Sequence, residues 1–453
     1  MLKKGMTAVF GAAMLFGSTA CASVARMDKI PEPPQEYLDW LNDLKEEMIA
    51  RGISAETVNQ AFAKNYYHPE HDVVKKDRKQ AEFVMTTTDY VNRLVNAKKA
   101  DRGRRKYKEL YPQYKSLEKQ YGVPFNYIVS FWGMETDYGR TFGNYHVIEA
   151  LTVLSYDQRR PKFFHGELYQ ALKIIDAGNV TVDGMEGSWA GAMGHFQFMP
   201  STFNAYAVDY DRDGKIDIWQ NYGDAAASAA NYLSKMGWKQ NETWGMAVSL
   251  PWNFDYAQSG RQTRKTIAEW RKLGVKTESG RRLPLDSKLS ASVIVPEGRR
   301  GRAYLVTDNF RKIMNWNRSE NYALGVALLA DYVKSGKKWQ PLRKNPVTLV
   351  KTEDVILLQE FINNQGWGKL DADGQLGAKT REAVKQLQKK ARLPQDGYPD
   401  NLLLQKIKNY NPEIGFAVPV QPQKPAQKNA SSEKKAIHRA ENKPLRTAKK
   451  RLD

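Results

Sequence analysis

A single glutamate stands near the end of an apolar stretch, FWGMETDYGR, at residues 131–140. The preceding segment, YGVPFNYIVS, has the composition of a buried helix, so Glu135 would lie where that helix ends. A carboxyl group there is either a surface charge at a helix end or a general acid in an apolar setting. Phe131, Trp132 and Phe142 are close enough in the chain to bury it, and burial keeps a carboxyl group protonated for acid catalysis.

A second motif has carboxylates at alternate positions of a loop, in DYDRDGKIDIW. Asp209, Asp211 and Asp213 occupy loop positions 1, 3 and 5, and Gly214 at position 6 allows a sharp turn. This is the spacing of a calcium-binding loop, in which residue 7, here Lys215, offers its backbone carbonyl. The sequence therefore predicts a structural calcium site, and the alternative is a solvated acidic turn.

The later calcium ligands depart from the usual pattern. Position 12 carries Gln220 where a bidentate glutamate is usual. The missing oxygen would come from Asp217 at position 9 or from Asp224 just beyond the loop, and we include Asp224 among the predicted ligands. Calcium is the expected cofactor, and no organic cofactor is expected.

A third motif, GSWAGAMGHFQFMPSTF, runs from Gly187 to Phe203. Its small residues allow close backbone approach, and Gln197 lies between two phenylalanines. Pro200 suits the first turn of a following helix. Taken alone, the motif fits either a tightly packed loop or a loop that presents polar side chains to a ligand.

Composition limits the classes of partner. The 453 residues suffice for two or three domains, and a formal net charge of +20 implies an anionic partner such as nucleic acid, a membrane or a cell-wall polymer. The 23 tyrosines and 11 tryptophans provide the aromatic faces that pack against sugar rings and bases.

The N-terminus indicates export. Lys3 and Lys4 precede an apolar run that is too short to span a membrane, and small residues follow, so residues 1–22 are predicted to be a signal peptide. Export favours the cell envelope over nucleic acid. Residues 20–22, Ala-Cys-Ala, fit ordinary cleavage, and STAC fits a loose lipoprotein box. Two outcomes therefore stay open: a free periplasmic protein, or one anchored to the outer membrane through Cys21, the only cysteine.

Periodicity organises the rest of the chain into a mainly α (α+β) protein. Apolar residues three and four apart predict helices up to about residue 120 and again in YALGVALLADYVKS, and residues 255–310 contain short predicted strands. Residues 339–352 have the composition of a linker. Residues 413–453 are rich in Pro, Gln, Lys, Ala and Ser, which predicts a disordered basic tail.

Three segments, in this order, resemble the B-type lytic murein transglycosylases: GMETDYGRTFGNYHVIEALTVLSYD, GSWAGAMGHFQFMPSTFNAYAVDYDRDGKIDIW and AASAANYLSKMGW. The resemblance covers about residues 35–335. It implies a lysozyme-like catalytic domain at residues 30–338 that cleaves the β-1,4 bond between MurNAc and GlcNAc in peptidoglycan, and a calcium loop that many members carry.

The resemblance also implies roles for particular residues. Glu135 matches the catalytic acid of the family. The positions that match residues lining the cleft or lying beside the acid are Ser188, Gln197, Tyr232, Trp316, Asn317 and Tyr322. Trp316 stands where some members have tyrosine.

A single carboxyl group suffices for the reaction that the resemblance implies. Hydrolysis would need a second carboxylate as nucleophile or base. Asp137, two residues after Glu135, would point to another face of a helix. In the family reaction the N-acetyl group of MurNAc stabilises the cationic intermediate, and the sugar's own O6 attacks C1 to give a 1,6-anhydro product.

Residues 353–412 are predicted to form a separate module. The segment Asp354–Asp400 resembles the common peptidoglycan-binding domain, marked by Leu358-Gln359, DGQLGAKTREAVKQLQ and Asp396-Gly397. The resemblance implies a three-helix unit that binds glycan strands of peptidoglycan and raises the local substrate concentration. The DADG within it fits a glycine turn better than another calcium loop.

Two other classes of function stay open from the sequence. One is a lysozyme-type hydrolase with a second carboxylate, for which Asp157, Glu167 and Asp183 are the candidates. The other is a non-catalytic wall-binding scaffold. Protein partners for wall remodelling are not identified by the sequence.

Overall fold

The computed structural model describes residues 32–64, 66, 72–78, 85–344, 347, 350–413 and 415–416. The predicted signal peptide, Cys21 and the tail beyond residue 416 lie outside these residues. The described part is mainly helical with a small sheet, so the predicted fold class is confirmed.

The helices before the sheet are α1 (Gln35–Ala50), α2 (Ala55–Ala61), α3 (Asp72–Arg78), α4 (Thr87–Leu94), α5 (Ala97–Tyr114), α6 (Ser116–Tyr121), α7 (Phe125–Thr136), α8 (Val147–Tyr156), α9 (Pro161–Asp176), α10 (Pro200–Tyr206) and α11 (Tyr222–Lys235). The later helices are α12 (Ile267–Lys272), α13 (Asp308–Trp316), α14 (Glu320–Ser335), α15 (Thr352–Asn364), α16 (Ala378–Lys390) and α17 (Asn401–Lys408).

The strands are β1 (Tyr145–His146), β2 (Glu186–Gly187), β3 (Gly245–Ser249), β4 (Lys265–Thr266), β5 (Lys276–Thr277), β6 (Ser290–Ile294) and β7 (Ala303–Val306). The pair β1–β2 is antiparallel. In the described residues β3 to β7 form one antiparallel sheet in the order β4-β6-β7-β3-β5, which confirms the short strands predicted between residues 255 and 310. Trp270 of α12 is fully buried in the core on this sheet.

Helix α7 lies at the centre of the helical part. It follows Pro124, and all its residues from Phe125 to Gly133 are buried, as expected for a helix that is apolar on nearly every face. Helices α5 and α14 pack against it. It ends after Thr136 because Asp137 and Tyr138 adopt φ angles of 50° and 63°, in the left-handed region.

A slot between α5 and α7 holds the ring of Tyr138. A Cβ atom on Gly133 would come within 2.5 Å of this ring, and one on Gly103 would collide with the Tyr138 hydroxyl group. Gly133 therefore leaves room for the ring of Tyr138, five residues later in the chain. This packing sets the direction of the chain just after Glu135.

Helix α16 is hydrogen-bonded to the segment between β3 and β7. Lys385 of α16 donates to the carbonyl groups of Ala257 and Ser259. On the same face Arg381 Nη2 lies 2.8 Å from the Pro296 oxygen. Among the described residues, those up to Leu404 form one compact unit, and those from Gln405 onward belong to a second.

Among the described residues, none of the helices has the length and apolar character needed to cross a membrane.

Candidate active site

The carboxyl group of Glu135 is enclosed at the C-terminal end of α7. Tyr322 of α14 donates its hydroxyl hydrogen to Glu135 Oε1. Burial raises the pKa of Glu135 to about 7, although hydrogen bonds from Tyr322 and Trp316 and the charge of Lys99 act to lower it. Burial also raises the pKa of Tyr322 well above its usual value, so this tyrosine remains a donor. At neutral pH Glu135 is therefore able both to give and to take a proton.

Aromatic rings form the apolar wall around this carboxyl group. The ring of Phe131 lies 4.5 Å from that of Trp316, and the Trp316 ring lies 5.0 Å from that of Tyr232. Phe131 is fully buried, as the sequence analysis expected of a residue that desolvates Glu135. Phe142 instead packs against His195, with ring centroids 4.7 Å apart.

A groove of about 870 Å³ begins at this wall. Its volume is in the range of pockets that bind small organic ligands. Of the predicted site residues, Gln197, Tyr232 and Trp316 line it. The other lining residues are Arg159, Arg160, Pro161, Lys162, Phe163, Glu167, Phe198, Met199, Ser201, Thr202, Tyr206, Met236, Asn315 and Arg318.

The loop between β2 and α10 presents Gln197 to the groove. Gln197 adopts a φ of 50°, and its amide donates to the oxygens of Phe142 at 3.0 Å and Gly194 at 3.2 Å. Gly194 has a φ of 66°, and a Cβ atom there would lie 2.5 Å from the Ile218 oxygen. The small residues of this motif therefore permit the close backbone approach that the sequence predicted.

Ser188 and Asn317 bond to their own loops. The Ser188 hydroxyl oxygen accepts from the amides of Ala190 at 3.3 Å and Ala192 at 3.0 Å. Asn317 Oδ1 accepts from the Ser319 amide at 3.0 Å just before α14 begins. Both side chains are buried, and each holds the backbone of its own loop.

The neighbouring carboxylates are occupied by other partners. Asp137 lies 2.5 Å from Arg102, 3.2 Å from Arg140 and 3.8 Å from Lys99. Of the candidates for a second catalytic carboxylate, Glu167 lines the groove, but Ser201 donates to both of its oxygens through the amide and the hydroxyl group.

The other two candidates lie outside the set of residues that line the groove. Asp157 accepts from the Arg159 amide at 3.1 Å, and Asp183 is exposed. Burial raises the pKa of Glu167 as well, but among these carboxyl groups it is Glu135 that accepts hydrogen bonds from Tyr322 and Trp316.

The acidic loop brings three predicted metal ligands together. Among the described residues, carboxylate oxygens of Asp209, Asp211 and Asp213 lie within 4.8 Å of one another. Gly214 has a φ of 90° with open space around it, which lets the loop turn as predicted. Three converging carboxylates are hard oxygen donors, so this arrangement fits a calcium ion.

Asp224 and Asp217 have different positions from the other acids. The two oxygens of Asp224 accept from the amides of Tyr210 and Asp217, each at 2.8 Å, and this side chain is fully buried. Asp217 Oδ1 accepts from the amides of Trp219 and Gln220. Asp224 therefore ties the two arms of the loop together, at the base of the three-carboxylate group.

The sequence analysis did not single out the cations of the site. Arg159 and Arg160 line the groove, and both form ion pairs with the buried Asp77 of α3. Lys99 of α5 donates to the Gly133 oxygen, and its charge acts to lower the pKa of Glu135. The QRRPK cluster is a local signal that could have indicated the arginines, whereas nothing near Lys99 in the sequence connects it with α7.

Comparison with known proteins gives two family matches and several related structures. The Transglycosylase SLT domain family matches residues 36–331, and a peptidoglycan binding domain family matches residues 351–407. Membrane-bound lytic murein transglycosylase B of Escherichia coli (strain K12) is 34% identical over 220 residues. That match spans 47% of this chain and 58% of the relative, so the chain covers just over half of the relative's length.

Two solved structures extend the comparison. SltB3 from Pseudomonas aeruginosa in complex with NAG-anhNAM-pentapeptide is 39% identical, with a TM-score of 0.76, over 82% of this chain and 99% of that one. The Escherichia coli lytic transglycosylase Slt35 in complex with calcium is 26% identical, with a TM-score of 0.56, over 65% of this chain and 92% of that one.

Proposed function

This chain belongs to the Transglycosylase SLT domain family, and on that premise we propose that it is a lytic transglycosylase that cleaves the β-1,4 bond between MurNAc and GlcNAc in peptidoglycan. The observation that carries the proposal is Glu135, a partly buried residue whose carboxyl group has a pKa of about 7 and accepts a hydrogen bond from Trp316, which lines the aromatic groove. The structure of SltB3 with a NAG-anhNAM-pentapeptide supports the same class of substrate for this chain.

The first step is acid catalysis by Glu135. Its proton passes to the oxygen that bridges the two sugars, the bond from that oxygen to C1 of MurNAc breaks, and GlcNAc leaves with a hydroxyl group. The oxygen of the N-acetyl group on MurNAc stabilises the positive charge at C1. Tyr322 and Trp316 then hydrogen-bond to the ionised carboxylate, which compensates for its burial.

The second step returns the proton to Glu135. The carboxylate takes the hydrogen of the O6 hydroxyl group of the same MurNAc, and O6 forms the new bond to C1. The product is a 1,6-anhydro sugar, and no water is consumed. One carboxyl group with a pKa near neutrality suits both steps, because it must be an acid first and a base second.

The groove residues bind and orient the glycan in this proposal. Trp316 and Tyr232 offer aromatic faces to sugar rings, and Gln197 is held in place by two backbone carbonyl groups. Ser188 and Asn317 act through the backbone that they hold. The module at residues 351–407 binds the polymer and keeps the enzyme on it.

Mass spectrometry of digested sacculi tests the function. We expect muropeptides that end in 1,6-anhydro-MurNAc, and we expect Glu135→Gln to reduce their release by about 10² to 10⁴. Binding of the variant to sacculi should persist. Reducing ends in place of anhydro ends would instead identify a hydrolase, with Glu167 as the first residue to examine as its second carboxylate.

The acidic loop is assigned a structural calcium ion. Asp209, Asp211 and Asp213 would hold it through their carboxylates, and Lys215 would add its carbonyl oxygen. Asp224 closes the loop at its base and is the further candidate ligand. When bound, the ion would neutralise the three carboxylates and stabilise the loop that leads into α11.

The place of action is the periplasm. The signal segment at residues 1–22 and the peptidoglycan substrate support this assignment, and Cys21 would carry an outer-membrane lipid anchor. Expression of Cys21→Ser should move the protein from the membrane fraction to the soluble fraction, and a wild-type protein that is already soluble would exclude the anchor.

A further inference from the structure

Lys99 is a largely buried cation that contacts the C-terminal end of α7, the helix that carries Glu135. It lies in the first turn of α5, and 15% of its side chain is exposed. Its Nζ donates to the Gly133 oxygen at 2.7 Å and lies 3.8 Å from Asp137 Oδ1. These two residues are on either side of Glu135 in the chain.

The carbonyl group of Gly133 needs a partner from outside α7. The last four carbonyl groups of a helix lack the usual intrahelical donor, and Gly133 is fourth from the last residue, Thr136. A cation there also interacts favourably with the negative end of the helix dipole. Lys99 therefore stabilises the turn of α7 from which Glu135 projects.

The groups around Glu135 differ in their ability to carry charge. Tyr322 faces it from α14 and Trp316 from α13. Tyr90 faces it from α4, and burial raises the pKa of Tyr90 above its usual range, so it stays neutral. Lys99 on α5 is the cation among the groups that act on Glu135.

We propose that Lys99 is a positioning residue for the reaction, which fixes the end of α7 through Gly133 and Asp137 and places a positive charge behind the Glu135 carboxyl group. This inference rests on the proposed function. The charge favours the carboxylate that must form in the first step and act in the second. Asp137 in turn counteracts the burial that lowers the pKa of Lys99.

The pH dependence of kcat/KM on soluble glycan fragments tests the proposal. Activity should fall at high pH as Glu135 loses its proton before the first step. Lys99→Met removes the charge that favours ionisation, so the basic limb of the profile should move to higher pH by about half a unit or more. Lys99→Arg keeps the charge and should leave the limb near its wild-type position.

Arg102→Met is the matched control. Arg102 pairs with the same Asp137 at 2.5 Å, but its charge is not among the groups that shift the pKa of Glu135. The basic limb of the pH profile of Arg102→Met should therefore stay at the wild-type pH. The proposal is overturned if the limb of Lys99→Met does not move, or if Arg102→Met moves it equally.

A second variant and a second readout keep the outcome clear. Lys99→Gln removes the charge but keeps a polar side chain at this position, and should shift the limb if Lys99→Met does not fold. The profile is measured on cleavage of any kind, whereas the identity of the product, anhydro or reducing, tests the proposed function separately. A shifted limb with reducing ends would support Lys99 and reject the transglycosylase reaction.

Discussion

Glu135 should make the stability of the fold depend on pH. Burial raises its pKa from 4.5 to about 7, so between these values the native state holds a proton that the unfolded state releases. The contribution of this group to the free energy of unfolding therefore falls as pH rises from about 4.5 to about 7. Below that range both states are protonated, and the group has no effect.

Glu135→Gln should remove this dependence. The amide keeps the shape of the carboxyl group and cannot ionise, so the melting temperature of the variant relative to wild type should increase as pH rises through that interval. Asp286→Asn, at an exposed carboxylate, is the control and should show no such trend. A constant difference between Glu135→Gln and wild type from pH 4.5 to 7 would show that Glu135 ionises normally.

At the scale of elements, the acidic loop should respond to calcium. Calcium bound only to the native state raises the melting temperature, and chelation should lower it again. Asp213→Ala should abolish the shift, because Asp213 is one of the three converging carboxylates. Asp286→Ala should retain it. Equal melting curves with excess calcium and with chelator would reject the site.

The loop between β2 and α10 should depend on the backbone at Gly194. Alanine there would adopt a φ of 66° at a cost of about 1–2 kcal/mol and would also press on the Ile218 oxygen. Gly194→Ala should therefore lower both the melting temperature and kcat/KM, since Gln197 follows in the same loop. Gly280 also has a positive φ, 81°, but a Cβ atom there would meet no other atom within 4 Å. Gly280→Ala should therefore show a smaller loss of stability and normal activity.

Local spacing in the sequence carries information only about neighbours in the chain. The phased aspartates predicted a converging acidic loop, and the apolar run before Glu135 predicted a buried helix, because both patterns lie within one segment. The pairing of Lys99 with Gly133 joins separate helices, and the sequence gives no sign of it. Ser188 and Asn317 were predicted from resemblance alone, and only coordinates show that their side chains bond to backbone.

At the scale of the whole molecule, the module is attached by more than its linker. Arg381 and Lys385 bond to backbone carbonyl groups near the sheet, and Asp396 accepts from the Arg299 amide at 2.9 Å. Lys385 is buried at this contact, and burial lowers its pKa. The sequence did not predict this contact, because the residue pattern of the module does not show which surface of the rest of the chain it would bind.

Deletion of residues 345–453 should separate chemistry from attachment. The cut leaves Leu342 paired with Asn92 and keeps every groove residue, so turnover of soluble fragments should stay within about two-fold of wild type. Activity on sacculi should fall, most strongly at low substrate concentration, because the effective concentration is lost.

Lys385→Met provides the comparison for this deletion. It removes the docking bonds of Lys385 but keeps the module on the chain, so binding to sacculi should persist while the melting temperature falls. If the deletion reduces turnover equally on soluble fragments and on sacculi, the module shapes the groove itself, and the division of roles is wrong.

The slot that holds Tyr138 has a consequence for how this family can vary. Gly103 and Gly133 come from different helices and both lack a side chain where the tyrosine ring lies. A larger residue at either glycine would be tolerated only with a smaller one at position 138, since all three share one volume. Positions 103, 133 and 138 should therefore covary among relatives, and a double substitution such as Gly133→Ala with Tyr138→Leu should be milder than Gly133→Ala alone.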